Sequence, residues 1–263
     1  PLLPRSLGRI TTLQMRYFIW LSYTGGAYCG WQRQPNGMSV QQRVEEALAT
    51  VLRRPTPLTG AGRTDAGVHA RRMAAHLDTD VPIDDPAGLV GRLNRLLPPD
   101  IAVWSLDAVR PDAHARFSAT ARTYEYTVTG IKDPFAPPAV HRMVLRGVDF
   151  EAMNRAAATL LDYRDFTSFS KLHTDVKTNL CHVTRAEWRR RGDLWTFTIT
   201  ADRFLRNMVR AIVGTLLEVG RGRLTEEGFR HVIEALDRSQ AGDSAAAEGL
   251  ALVEVHYPAD IYF

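Results

Sequence analysis

Apolar residues along this chain recur with two periods, and the alternation between them marks out the elements. Met15 to Tyr23, MRYFIWLSY, is dense in aromatic and β-branched residues and predicts a mostly buried strand. After a turn-rich stretch, Ser39 followed three residues later by Gln42 has the form of a capping box, and Val40, Val44, Ala47, Leu48 and Val51 recur at helical spacing. A helix to about Arg53 follows from that pattern. A glycine-rich loop comes next, then a strand near Arg71 to Asp78, a helix near Pro86 to Leu96 stopped by Pro98 and Pro99, and a strand over Ile101 to Ala108.

The second half repeats this order. Thr123 to Thr129, TYEYTVT, alternates as a strand does, with Tyr124, Tyr126 and Val128 on one face, so that at least one of the tyrosines belongs to the core. Asp149 to Leu161 reads as a helix. Val183 to Arg189 and Leu194 to Ala201 flank Arg191-Gly192-Asp193 and predict a hairpin. Phe204, Met208, Ile212 and Leu216 stand at i, i+4 spacing in a long amphipathic helix from Phe204 to Val219, followed by a helix near Thr225 to Leu236 and a last strand from Leu250 to Tyr257. Two successive α+β units imply two halves, each with helices on one face of a largely antiparallel sheet, with the seam near Arg110 to His114 and a cleft between them. The expected division is residues 1–14 as an upstream extension or cloning remnant, 15–112 as the first half and 113–263 as the second.

Composition narrows the picture without deciding it. The 263 residues are 45% hydrophobic and 24% charged, ordinary globular values. No run approaches the roughly 20 apolar residues of a membrane span, and the first residues lack the apolar stretch of a signal peptide, so a cytoplasmic protein is expected. Cys29 and Cys181 lie far apart and support neither a disulfide framework nor a cysteine metal site. Net charge is +4, and of 33 basic residues only Lys132, Lys171 and Lys177 are lysines. Arginine's planar fork suits phosphate and stacked bases, which allows a polyanionic partner; a genome-wide preference for arginine would leave the same bias.

Candidate chemistry concentrates in GAGRTDAGVHA, Gly60 to Ala70, where a single carboxylate sits among glycines and alanines. As a phosphate cradle the loop fails, because it lacks GK[ST] and Asp65 stands where a third glycine belongs. Two readings stay open. In one, the loop is a turn whose glycines supply positive φ and whose Asp caps nearby amides. In the other, small neighbours let a bulky planar group approach Asp65, with Arg63 close by to favour the ionised carboxylate. One isolated carboxylate suits nucleophilic or general-base work, not the paired-acid chemistry of glycoside cleavage. His69 and His76 flank a strand, but no third ligand accompanies them, and His114, His173 and His182 read as structural. No metal is expected.

Six further segments occur in order around that loop: YTGGAYCGWQRQPN with SVQ, LNRLLPPDIAV, HARFSATARTYEY, DFTSF, FLRNMVRAIVGTLLEVG and AAAEGLALVEVHYP. Together they resemble the tRNA pseudouridine synthase A family over essentially Met15 to Pro258. The resemblance implies an isomerase that converts uridine to pseudouridine in the anticodon stem-loop of tRNA, at positions 38, 39 and 40, without a cofactor. It implies two RRM-like (ferredoxin-like) halves around a basic cleft, and a homodimer. Position by position, it makes Asp65 the catalytic carboxylate and Arg63 the arginine of the motif. Tyr124 becomes the tyrosine facing the target base, Arg210 the arginine pairing with the carboxylate, and Leu250 an apolar residue lining the pocket; it says little about Arg206. Ala113 stands where the family often has an aromatic residue, and the stretch before Glu248 is rich in alanine where proline is frequent. Two other readings compete: a related uridine isomerase with another RNA target, and a non-catalytic RNA chaperone. The chaperone reading requires aromatic residues in RNP-like patterns on an open sheet, which TYEYTVT does not match.

Overall fold

The strand predicted from MRYFIWLSY, β1 (Met15–Tyr23), lies inside a nine-stranded sheet. The computed structural model of the chain describes residues 15–171 and 178–263; the expectations for residues 1–14 and for His173 fall outside them. Tyr17, Ile19, Leu21 and Tyr23 face one helical layer, while Phe18 packs on the other side with Val109, Ala113, Ala115 and Ile261. Burial on both faces explains why β1 lacks a clean alternation.

Helix α1 (Val40–Leu52) begins at Ser39, whose Oγ accepts the Gln42 N–H at 3.2 Å, and ends at Arg53 in the left-handed region (φ 54°). Only half of the capping box forms, since the Gln42 amide donates to Glu46 instead. A two-residue strand, β2 (Thr59–Gly60), precedes β3 (His69–Thr79), α2 (Pro86–Leu96) and β4 (Ile101–Val109). Asp85 caps α2 by accepting the Gly88 N–H, and Pro86 occupies the first turn, where its missing N–H costs nothing. The second half supplies β5 (Ala121–Thr129), the short β6 (His141–Arg142), α3 (Phe150–Ala158), the hairpin β7 (Val183–Arg191) and β8 (Leu194–Ala201), α4 (Met208–Gly220), α5 (Glu226–Glu234) and β9 (Leu250–His256).

The strands run in the order β4-β1-β3-β9-β5-β8-β7, with β2 on β3 and β6 on β5. Along that path every neighbouring pair is antiparallel except β3 and β9, which are parallel and meet at His69 opposite Ala251 and Ala70 opposite Leu252. The last strand of the chain thus enters the middle of the sheet and joins the halves into one surface. Two cores form on the helix side. One gathers Ile19, Leu21, Val44, Leu48, Leu89 and Leu93 with Leu252 and Val255; the other gathers Tyr126, Met153, Phe197, Ile212, Leu216 and Phe229 with Val68. Tyr124 packs against both.

One element departs from the expected pattern in a way that matters for function. The helix expected from Phe204 starts at Met208, because Asn207 adopts a left-handed conformation (φ 66°) that a helix cannot contain. Residues before it form a loop. Phe204 and Arg206 therefore lie outside the helix expected to include them.

Candidate active site

The loop between β2 and β3 is held by its backbone on both sides of Asp65. Ala61 N–H donates to the Ala74 carbonyl at 2.8 Å, continuing the β2–β3 ladder by one bond. The buried Thr64 hydroxyl bonds the Tyr23 hydroxyl at 2.8 Å, and the Thr64 carbonyl accepts the Trp31 N–H at 3.2 Å. The Asp65 carbonyl then accepts the Val68 N–H at 3.1 Å, closing a turn through Gly67 at φ +81°. Gly30, at φ +92°, lies so close that a Cβ there would collide with the Thr64 carbonyl. Small residues around the carboxylate thus serve several ends. Gly60 makes room for Trp31, Gly67 for the turn, and among the loop's three glycines Gly62 alone opens onto empty space.

The Asp65 side chain is left out of these bonds. Neither carboxylate oxygen accepts a hydrogen bond among the described residues, and the side chain stays 29% exposed. The turn reading required that carboxylate to cap nearby amides; the structure answers that with backbone bonds alone. Arg210 Nη1 stands 3.9 Å from Oδ2 and Arg206 Nε 3.8 Å from Oδ1, beyond hydrogen-bond length but within ion-pair range. Arg210, in the first turn of α4, is braced: its Nε donates to the Ala245 carbonyl at 2.7 Å, and its own carbonyl accepts the Ala245 N–H at 2.9 Å.

Tyr124 reaches the same place from β5. It is half-buried, with its ring edge-on to Phe204 at 5.2 Å between centroids and 86° between planes. Burial pushes its phenol up to about 12, with Arg122 pulling the other way and the Asp65 carboxylate adding to the rise. The phenol is therefore protonated at neutral pH, able to stack and to donate.

Arg63 is placed differently from the expectation that it steadies the carboxylate. It is exposed and donates through Nε to the Gln32 side chain at 2.9 Å, facing the outside of the loop. Leu250 is 5% exposed in the C-terminal core, opposite Tyr126 in register. Tyr126 itself is fully buried, so of the two tyrosines on that strand face only Tyr124 is accessible. His69 and His76 serve the backbone: their Nδ1 atoms accept the N–H groups of Gly25 and Ala115, each at 3.1 Å.

Three residues of the site escaped sequence reasoning. The expected helix places Phe204 on its apolar face and takes in Arg206; Asn207, the residue type beside glycine most tolerant of positive φ, is the signal that the helix starts later. The third is Arg122. Its guanidinium donates to the carbonyls of Ala119, Asp202 and Ala61 at 3.2, 2.8 and 3.1 Å and also to that of Arg116. It ties the Asp65 loop and the 202–206 loop to β5 with carbonyl partners only, and burial lowers its pKa. An alternating strand pattern cannot show such a role.

A carboxylate that accepts no hydrogen bond among the described residues, with two guanidiniums beside it and the Tyr124–Phe204 pair nearby, has the chemistry for attack on, or proton transfer with, a planar substrate. Comparison with known proteins gives the family. A family model described as tRNA pseudouridine synthase matches residues 156–258. The tRNA pseudouridine synthase A of Parabacteroides distasonis is 62% identical over 247 residues, covering 94% of this chain and 98% of the relative. Those of Bacteroides thetaiotaomicron and Geobacter sulfurreducens are 60% and 43% identical, over 94% and 90% of this chain and 92% and 97% of theirs. The chain belongs to the tRNA pseudouridine synthase A family.

Proposed function

We propose that this protein isomerises uridine to pseudouridine in the anticodon stem-loop of tRNA, at positions 38, 39 and 40, with Asp65 as the catalytic carboxylate. The observation that carries the reading is the Asp65 side chain, free of hydrogen bonds among the described residues, flanked by Arg206 and Arg210 and close enough to raise the Tyr124 phenol. The reaction breaks the N1 to C1′ bond, turns the uracil, joins C5 to C1′ and releases the C5 proton, with N1 protonated in the product. Atoms balance without a donor or a redox partner, so the residues present suffice in kind.

The target must first leave its stack, at a cost of a few kcal/mol that is smallest in a loop or at a helix end. Tyr124 and Phe204 offer an aromatic wall for the everted base, and base–aromatic stacking of about 1 to 3 kcal/mol offsets that cost. Arg210 steadies the carboxylate from α4. Arg63, on the outer side of the loop, is available to the RNA, and Leu250 supports the floor of the pocket from the core. The reading includes a homodimer acting in the cytoplasm. No helix among the described residues is long and apolar enough to cross a membrane.

The test is to map pseudouridines in unmodified total RNA, tRNA included, after incubation with purified protein. New pseudouridines at positions 38 to 40 are expected. Modification confined to other RNAs favours the related isomerase, and RNA binding without any pseudouridine favours the chaperone.

A further inference from the structure

One carboxyl group at this site faces two guanidiniums, and the two are held very differently. Arg210 is 22% exposed and fixed through its Nε to Ala245, so it belongs to the wall of the site. Arg206 is 59% exposed, and among the described residues its side chain has no polar partner other than Asp65 at 3.8 Å. Its backbone, by contrast, is locked. The Arg206 carbonyl accepts the Lys171 N–H at 3.1 Å, and the next residue, Asn207, holds its left-handed conformation with its side chain donating to Ser244 Oγ at 2.7 Å. A fixed backbone thus presents a mobile-length cation at the rim of the site, beside the loop that carries Phe204. Even with Asp65 ionised, the three groups carry surplus positive charge.

An everted nucleotide brings its base to the wall formed by Tyr124 and Phe204 while its phosphates stay at the rim, where they need a cation. We propose that Arg206 is the phosphate clamp of the everted nucleotide: its guanidinium leaves the edge of Asp65 and takes the backbone phosphate beside the target, while Arg210 stays with the carboxylate. The clamp rests on the functional reading above. It gives the two arginines separate tasks, Arg210 for the carboxylate and Arg206 for the RNA backbone.

Counterion release makes this measurable, because each phosphate contact to a single strand contributes about 0.7 to the slope of log affinity against log salt. Binding of an anticodon stem-loop RNA is measured over a salt series in the Asp65→Asn background, so that no turnover intervenes. Adding Arg206→Ala is expected to make the slope shallower by about 0.7 and to weaken binding, and adding Arg206→Lys instead is expected to keep the slope of the background. Arg206 is exposed, so neither change threatens folding. Equal slopes for the background and the alanine variant overturn the clamp, as do equal slopes for the alanine and lysine variants. Failure of the wild-type protein to form pseudouridine refutes the functional reading whatever the slopes; an active wild-type protein whose slope ignores Arg206→Ala refutes the clamp alone.

Discussion

Asp65, Tyr124 and Arg210 converge in the structure from a loop, a strand and a helix that are far apart in the chain. Resemblance named all three, because each sits in a segment of distinctive sequence. Arg206 and Phe204 were hidden by one residue, Asn207, whose positive φ breaks a helical pattern that periodicity alone extends to Phe204. Tyr124 carries a prediction at this scale. Replacing it by Phe keeps the ring against Phe204 and removes the hydroxyl, whereas Ala removes the wall itself. Tyr124→Ala is expected to weaken RNA engagement by about 1 to 3 kcal/mol, roughly five- to 150-fold in kcat/KM, and Tyr124→Phe to retain most of the binding. Steady-state kinetics on a stem-loop substrate check both, and equal binding by the Ala variant and the wild type contradicts the stacking role.

His76 offers a second, concerning stability. Its Nδ1 accepts the Ala115 N–H, so it must be neutral, and it faces Arg16, His114 and Asp78. Burial, with Arg16 and His114 acting in the same direction and Asp78 opposing, lowers it to about 4. The unfolded chain takes up the proton first on acidification, so the contribution is full above the ordinary histidine value of about 6.5 and is lost as pH falls toward 4. Burial lowers His69 in the same direction. Melting temperature is expected to drop between pH 6.5 and 4, and His76→Asn to make that drop shallower; identical profiles contradict the assignment.

Among the elements, the catalytic loop and the 202–206 loop owe their relation to β5, through Arg122. A half-buried guanidinium with four carbonyl partners and no carboxylate within ion-pair distance among the described residues acts as a fastener. The sequence presents Arg122 simply as one more position in ARTYEY, since nothing local distinguishes an arginine that bonds carbonyls 61 and 202 from one that faces water. Loss of Arg122 leaves the carbonyl of buried Ala61 short of a donor, at a cost of about 1 to 3 kcal/mol, while water can serve the exposed carbonyls of Arg116 and Asp202. Arg122→Met is expected to lower both stability and kcat. Arg122→Lys keeps the charge with fewer donors and is expected to recover stability more than kcat, because Lys cannot hold both loops in register. Thermal melts and a kcat-against-KM comparison for the two variants check this, and a Lys variant with wild-type kcat contradicts the positioning role.

At the scale of the whole molecule, the order of strands and helices was legible because periodicity, caps and turns are local signals. Ser39, Pro86 and the Gly192 turn each mark a boundary that the structure keeps. Strand pairing is not local, and the arrival of β9 between β3 and β5 could not be read from the pattern of Leu250 to His256. Its consequence is functional, since the parallel pairing of His69 and Ala70 with Ala251 and Leu252 brings the Asp65 loop of one half against Tyr124 and α4 of the other. The account therefore stands on a single carboxylate placed at that junction. Its most direct test is single-turnover release of tritium from a stem-loop RNA labelled at uracil C5, with RNA binding measured in parallel, for the wild-type protein and Asp65→Asn. The account predicts release by the wild type, none by the variant, and RNA binding by both; release by the variant at a rate near that of the wild type would contradict it.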